Sequence, residues 1–82
     1  MPSTAIGETP FDWHKFDDWL TCYKVKYGFN DKQVSGLFGI KQAHLQRMKT
    51  GQQAPSFNLY AHMIEIAGEP FTAWIRDKYL DR

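Results

Sequence analysis

The stretch NDKQVSGLFGIKQAHLQRMKTG, residues 30–51, decides the fold. Asn30 followed by Gln33 has the pattern of a capping box, which starts a helix. Gly39 ends that helix after about two turns, because glycine tolerates the positive φ that a tight turn needs. A second short helix then runs over about residues 41–49 and stops at Thr50-Gly51. Two short helices joined by a glycine turn are typical of a helix-turn-helix, here at about 31–49.

The side chains of these two helices divide into an inner and an outer face. The apolar anchors are Val34, Phe38, Ile40, Leu45 and Met48. With about 100° per residue, burying Leu45 and Met48 exposes the opposite face of the second helix. The residues expected on that outer face are Gln42, Ala43, Gln46 and Arg47. Glutamine fits adenine, arginine fits guanine, and a small alanine contacts a thymine methyl, so this face predicts base reading in a major groove.

Helical spacing also organises the flanking segments. Thr9 and Pro10 predict the start of a long first helix, and Gly28 predicts its end. Ser56 and Gly68 predict the bounds of a fourth helix. The inward residues expected on these two helices are Trp13, Phe16, Leu20, Tyr23, Tyr27, Leu59, Met63, Ile66 and Ala67.

Glu69-Pro70 predicts a fifth helix over 70–81. Its apolar residues are Phe71, Trp74, Ile75 and Tyr79. This load is large for a terminal helix, and two interpretations stay open: the four side chains complete the core of the monomer, or part of this surface pairs with a second copy. The sequence contains no convincing strand, so we predict an all-α, five-helix domain over 9–82. The first segment, 1–8, lacks periodicity and is expected to be a flexible tail.

Composition and charge narrow the class of protein. The 82 residues suffice for one domain, and the net charge is only +1. Residues 31–51 nevertheless hold Lys32, Lys41, Arg47 and Lys49 against Asp31, a local balance of +3 (four minus one). This indicates either an anionic partner or a solvated basic face. No apolar run approaches the roughly 20 residues of a membrane helix, and no signal-peptide pattern is present.

Catalysis and metal binding are not indicated. His14, His44 and His62 lack metal-ligand spacing, and no catalytic triad or phosphate loop is evident. Cys22, the single cysteine, is expected to be a small buried side chain in a protein of the reducing cytosol. Gly36, inside a predicted helix, is expected to mark the close approach of another backbone. We therefore expect neither an enzyme nor a cofactor nor a metal.

The segment 30–68 resembles the lambda-repressor-like helix-turn-helix family, which includes phage repressors, Cro proteins and small bacterial regulators. The resemblance lies in an ordered set of elements: Ser35, Phe38-Gly39-Ile40, Gln42, Leu45, Gly51, Pro55-Ser56 and Ile66-Ala67-Gly68. Three positions depart from the family pattern. Ser35 replaces the usual alanine. Lys41 stands where a serine or threonine normally caps the recognition helix. Asp31 stands where the family often has a glutamine that holds a phosphate and braces the first base-reading residue, and the charge of Asp31 is expected to repel the DNA backbone.

The resemblance implies roles for individual residues. Gln42, Ala43 and Arg47 are implied base readers, with Gln46 and His44 as second choices. The residues implied to contact phosphates are Lys32, Lys41, Lys49 and Thr50. A dimer is usual in the family, so the surface of the last helix is the expected dimer interface. Recognition helices about 34 Å apart would then read a palindromic operator.

The expected function is therefore a phage or bacterial transcriptional repressor that binds operator DNA as a homodimer in the cytoplasm of the bacterial host. Two alternatives stay open. An antitoxin-like protein-interaction module would bury the C-terminal aromatic surface against a different protein. An excision or activation factor would bend DNA instead of blocking a promoter.

Overall fold

The fold is seen in a computed structural model that describes residues 9–80. Within this range lie four α-helices and one short 3-10 helix: α1 Trp13–Tyr27, α2 Asp31–Phe38, α3 Gln42–Lys49, α4 Phe57–Ala67 and the 3-10 helix Asp77–Tyr79. α3 packs against α1 and α2, and α2 packs against α4. The all-α prediction is confirmed, whereas the prediction of five helices is wrong. The predicted tail, 1–8, lies outside the described residues.

Capping fixes the ends of the helices on either side of the predicted turn. The Gln33 backbone N–H donates to Asn30 Oδ1 at 2.8 Å, and the Asn30 N–H donates to Gln33 Oε1 at 2.8 Å. This reciprocal pair satisfies two backbone donors that the first turn of α2 leaves unpaired. Gly39 adopts φ 73°, and the Ile40 N–H reaches back to the Ser35 carbonyl at 3.0 Å. Residues 39–41 join α2 to α3 at the predicted turn, and α3 begins at Gln42 instead of about residue 41.

The core lies where the inner faces of the helices meet. Its fully or nearly buried apolar residues are Phe11, Phe16, Leu20, Val34, Phe38, Leu45, Met48, Tyr60, Met63, Ile64 and Trp74. On α4 the predicted inward residue Met63 is buried, while Leu59, Ile66 and Ala67 are only partly buried. Tyr60 and Ile64, which were not predicted, are buried in their place, because α4 turns the face that contains Tyr60, Met63 and Ile64 inward. On α1, Tyr27 of the predicted stripe is half exposed.

The predicted helix over 70–81 does not form, and long-range pairing explains why. Ile75 forms an isolated antiparallel β-bridge with Phe11. The Asp12 N–H donates to the Trp74 carbonyl at 2.8 Å, and the Arg76 N–H donates to the Pro10 carbonyl at 2.7 Å. These backbone groups would otherwise have served a helix. Pairing with the N-terminal segment therefore overrides the helical spacing of the aromatic residues.

The same pairing moves the start of α1. Phe11 pairs with Ile75, and the flanking residues Pro10 and Asp12 bond to Arg76 and Trp74, so the helix does not start at Thr9 and Pro10 as predicted. Asp12 is the N-cap instead, and its carboxylate accepts from the His14 and Lys15 N–H groups at 3.1 and 3.2 Å. Arg76 Nε donates to the Thr9 carbonyl at 2.8 Å and holds the two chain ends together.

Two smaller predictions are also wrong. A Cβ built on Gly36 meets nothing within 4 Å, so no backbone approaches this glycine closely. Cys22 is exposed on α1 instead of buried, because it lies outside the stripe that contains Phe16 and Leu20. Among residues 9–80, no helix has the length and apolar character that crossing a membrane requires.

Candidate nucleic-acid interface

The helix α3 is held by its buried side chains. Leu45 and Met48 both have 0% exposure and lie in the core. Ile40, just before the helix, packs partly buried against the same core. Because α3 has only eight residues, two full anchors one turn apart determine which face is turned outward. The predicted inward orientation of Leu45 and Met48 is confirmed.

The opposite face of α3 is open to solvent. Gln42, Ala43, Gln46 and Arg47, four of the five residues predicted to read bases, are exposed. His44 is different, because its Nε2 is shielded from solvent and has no hydrogen-bond partner within the described part of the chain. His44 precedes Met48 by one turn and lies toward the interior side of the helix. It therefore does not belong to the outward surface on which we placed it.

Arg47 is oriented by a residue that follows α3. Its Nε donates to Gln53 Oε1 at 2.7 Å. The Gln52 and Gln53 backbone N–H groups donate to the Arg47 carbonyl at 2.8 and 3.3 Å, so the loop folds back over the end of the helix. Engagement of Nε leaves the two terminal nitrogens of the guanidinium as the outward donors. Such a pair of donors matches the O6 and N7 acceptors of guanine.

Asp31 is the centre of a polar cluster that joins three helices. Its Oδ1 accepts from Lys24 Nζ of α1 at 2.6 Å. Its Oδ2 accepts from Gln46 Nε2 at 2.5 Å and from Lys49 Nζ at 3.1 Å, both on α3. The carboxylate also lies in the first turn of α2, where the helix dipole favours negative charge.

The electrostatics of this cluster follow from its contacts. Partial burial alone would raise the pKa of the Asp31 carboxyl, but the hydrogen bonds from Lys24, Gln46 and Lys49 outweigh that effect and lower the pKa to about 2. Asp31 is therefore ionised at neutral pH and is flanked by two cations. These two lysines oppose the expected repulsion between Asp31 and a DNA backbone. They come from other helices, so helical spacing did not predict that they lie beside Asp31.

The residues predicted to contact phosphates differ in accessibility. Lys32 and Lys41 are exposed at the starts of α2 and α3. Lys49 is only 18% exposed in its side chain because it pairs with Asp31. The Thr50 hydroxyl is exposed but donates to the Gln46 carbonyl at 3.1 Å. Lys32 and Lys41 are thus the most available cations of the predicted set.

Sequence reasoning missed three residues of this surface: Lys24, Asp31 as a hydrogen-bond acceptor, and Gln53. Lys24 precedes Asp31 by seven residues across a helix end, and Lys49 follows it by eighteen. No helical spacing links such positions. An unusual acidic residue within a basic segment was the one available signal, since a carboxylate there needs cationic partners.

The four residues of the predicted dimer surface differ in burial. Trp74 is 1% exposed and packs edge-on against Phe16 with ring centroids 5.0 Å apart, so it belongs to the core of the single chain. Ile75 is partly buried in the bridge to Phe11, whereas Phe71 and Tyr79 are about half exposed. Phe71 lies 5.8 Å from Phe57, measured between ring centroids.

This aromatic pair borders an apolar groove of about 360 Å³ between the start of α4 and the two paired chain ends. Phe57 is 73% exposed at its rim. Exposed aromatic side chains around a groove mark a surface that a protein partner can cover. Among residues 9–80, no group of three or more histidine, cysteine, aspartate or glutamate side chains could hold a metal ion.

Comparisons with protein-family models, with curated proteins and with solved structures found no match to this chain. The resemblance to lambda-repressor-like regulators therefore depends on the residues of segment 30–68 alone.

Proposed function

We propose that this protein binds double-stranded DNA in a sequence-specific manner through α3 and regulates transcription. The observation that carries the proposal is the division of α3 into two faces. Leu45 and Met48 are fully buried, while Gln42, Ala43, Gln46 and Arg47 are exposed on the other side. A short helix anchored in this way supplies amide and guanidinium groups to the edges of bases in a major groove.

The surroundings of α3 support contact with a polyanion. Lys32 and Lys41 are exposed at the starts of the two helices that flank the turn. Contacts of this kind orient a protein on the duplex without reading its sequence. The acidic residues Asp17 and Asp18 lie on α1, outside the two helices that flank the turn.

We also propose that the protein acts as a homodimer on palindromic operators in a bacterial cytoplasm, as a phage or bacterial repressor. With so few basic contacts per subunit, a second subunit doubles the phosphate contacts and the number of bases read. Phe71, Phe57 and the rim of the adjacent groove are the surface that supports pairing, since Trp74 is enclosed in the core.

Selection of bound sequences from a random pool of duplex DNA tests the proposal. We expect an enriched motif whose two half-sites are inverted and about 10 base pairs apart, centre to centre. The control is the Arg47→Ala variant, which should lose preference at one position in each half-site. A pool that shows no enrichment with the folded wild-type protein would contradict the proposal.

The exposed Phe57 and Phe71 also favour a second candidate, an antitoxin-like module whose groove receives a different protein. A homodimer in solution that dissociates when Phe71 is changed would support self-association. A monomer that selects no DNA would favour the interaction module. An operator that lies away from any promoter and bends on binding would favour the excision or activation factor.

A further inference from the structure

Gln46 is held in place by a charged residue from a different helix. Its Nε2 lies 2.5 Å from Asp31 Oδ2, although the two residues are fifteen positions apart and belong to α3 and α2. Gln46 is also one of the exposed residues of the outward face of α3. We propose that Asp31 is a positioning residue that fixes the side-chain amide of Gln46 and thereby sets a preference for adenine at one base position. The inference depends on the proposed binding of DNA through α3.

The Asp31 carboxylate is itself fixed on two sides. Lys24 Nζ lies 2.6 Å from Oδ1, and Lys49 Nζ lies 3.1 Å from Oδ2. The side chains of Asp31 and Lys49 are 19% and 18% exposed, so this ion pair is screened less than an open surface pair. The two lysines come from α1 and α3, which pack against each other. Oδ2 therefore has a defined position from which to accept a hydrogen bond from Gln46 Nε2.

The charge of Asp31 determines which end of the Gln46 amide faces it. An ionised carboxylate only accepts hydrogen bonds, and the nitrogen of a glutamine amide is its only donor. The amide nitrogen must therefore point toward Asp31. A neutral asparagine at position 31 would accept from the nitrogen or donate to the oxygen of Gln46, so both orientations of the amide would be allowed.

The fixed orientation leaves a specific edge of Gln46 facing outward. One N–H of Nε2 is engaged by Asp31, while the second N–H and Oε1 have no partner among residues 9–80. The outward edge thus presents one donor and one acceptor in a defined order. Adenine presents the complementary pair in the major groove, with N7 as acceptor and the N6 amino group as donor. Guanine presents two acceptors in the major groove, N7 and O6. Its O6 would face Oε1 of Gln46, and two acceptors that face each other repel.

Sequence selection with three variants tests the inference. Gln46→Ala identifies the base position that Gln46 reads. Asp31→Asn should flatten the adenine preference at that same position, by roughly 5- to 100-fold in the ratio of affinities. The double variant should show no further loss at that position. Asp18→Asn is the matched control, because it removes the same charge from an exposed site on α1.

The ratio of affinities between two duplexes is the readout that a merely structural role would not move. Removing a negative charge near DNA raises the affinity for every sequence alike, so this general effect cancels in the ratio. Asp18→Asn controls for the loss of one negative charge at a site away from α3. If Asp31→Asn folds, binds DNA and keeps the full adenine preference, the positioning role is wrong. If wild-type protein enriches no motif, the proposed DNA reading fails, and the inference is overturned together with it.

A second measurement needs neither a variant nor DNA. In the NMR spectrum of the wild-type protein at neutral pH, one Nε2 proton of Gln46 should exchange with water more slowly than its geminal partner. Gln42 is exposed on the same helix and serves as the internal control, with two protons that exchange alike. Equal, rapid exchange of both Gln46 protons would show that Asp31 does not hold the amide.

Discussion

The indole ring of Trp13 on α1 covers Gly51, the glycine that follows α3, so closely that a side chain cannot fit between them. A Cβ built on Gly51 would overlap the Nε1, Cε2 and Cδ1 atoms of Trp13. Gly51 also adopts φ 81°, a conformation that L side chains rarely take. This contact joins the long first helix to the residue that follows the candidate recognition helix.

Gly51→Ala should destabilise the domain. Backbone strain alone costs about 1–3 kcal/mol, and the overlap with Trp13 adds to it. Thermal or denaturant unfolding measures the change. Gly36→Ala is the control, because this glycine lies inside α2 with open space around its Cα. It should stabilise the domain by about 0.5–1 kcal/mol. Equal effects of the two substitutions would contradict the close packing of Trp13.

The Asp31 cluster should make stability depend on acid pH. The pKa of Asp31 is lowered from 3.8 to about 2 in the folded protein. Below pH 4 the unfolded chain therefore binds the proton first, and stability falls until the folded carboxyl is also protonated near pH 2. The stabilisation is fully present above pH 4 and amounts to about 2 kcal/mol. Denaturant unfolding between pH 2 and 6 should show this loss for wild type and a shallower one for Asp31→Asn.

Arg47 and Gln53 should act on the same base position. Arg47→Ala is expected to weaken specific binding by about 1–3 kcal/mol and to relax a guanine preference. Gln53→Ala should produce a smaller loss at that position, because it frees Arg47 Nε. Gln52→Ala is the matched control, since the Gln52 side chain donates to Thr50 instead. A Gln53→Ala variant that changes preference elsewhere would disprove the coupling.

Lys32 and Lys49 should differ in the salt dependence of binding. Lys32 is exposed, so Lys32→Ala should reduce the slope of log K against log salt concentration by about one unit per subunit. Lys49 is paired with Asp31, and Lys49→Ala should change the slope less. Titrations with a nonspecific duplex at several salt concentrations measure both. A larger change for Lys49 would show that the ion pair opens toward DNA.

The exposed pair of Phe57 and Phe71 should govern self-association. Phe71→Asp is expected to shift the protein toward monomer in sedimentation experiments, because a charge would be buried in an apolar contact. Val25→Asp is the control for introducing aspartate at an exposed apolar site, since Val25 is 79% exposed on α1. Dissociation by both variants, or by neither, would argue against the Phe71 surface.

Local sequence signals predicted some features of the fold and failed on others. Asn30 and Gln33 are three residues apart, and Gly39 ends α2 with bonds to residues of the same helix. Such signals need no distant partner, so the turn and the inward orientation of Leu45 and Met48 could be predicted. The exposed face of α3 followed from those anchors. Sequence alone placed His44 on the exposed face, whereas its Nε2 is shielded from solvent.

Sequence by itself thus determined the all-α class, the turn between α2 and α3 and most of the residues exposed on α3, because caps and periodicity act within one or two turns of a helix. Tertiary structure alone decided that residues 74–76 pair with residues 10–12 instead of continuing a helix. It also decided that Asp31 meets Lys24, Gln46 and Lys49. Both outcomes join groups that are distant along the chain, and only the packing of the helices brings such groups within hydrogen-bonding distance.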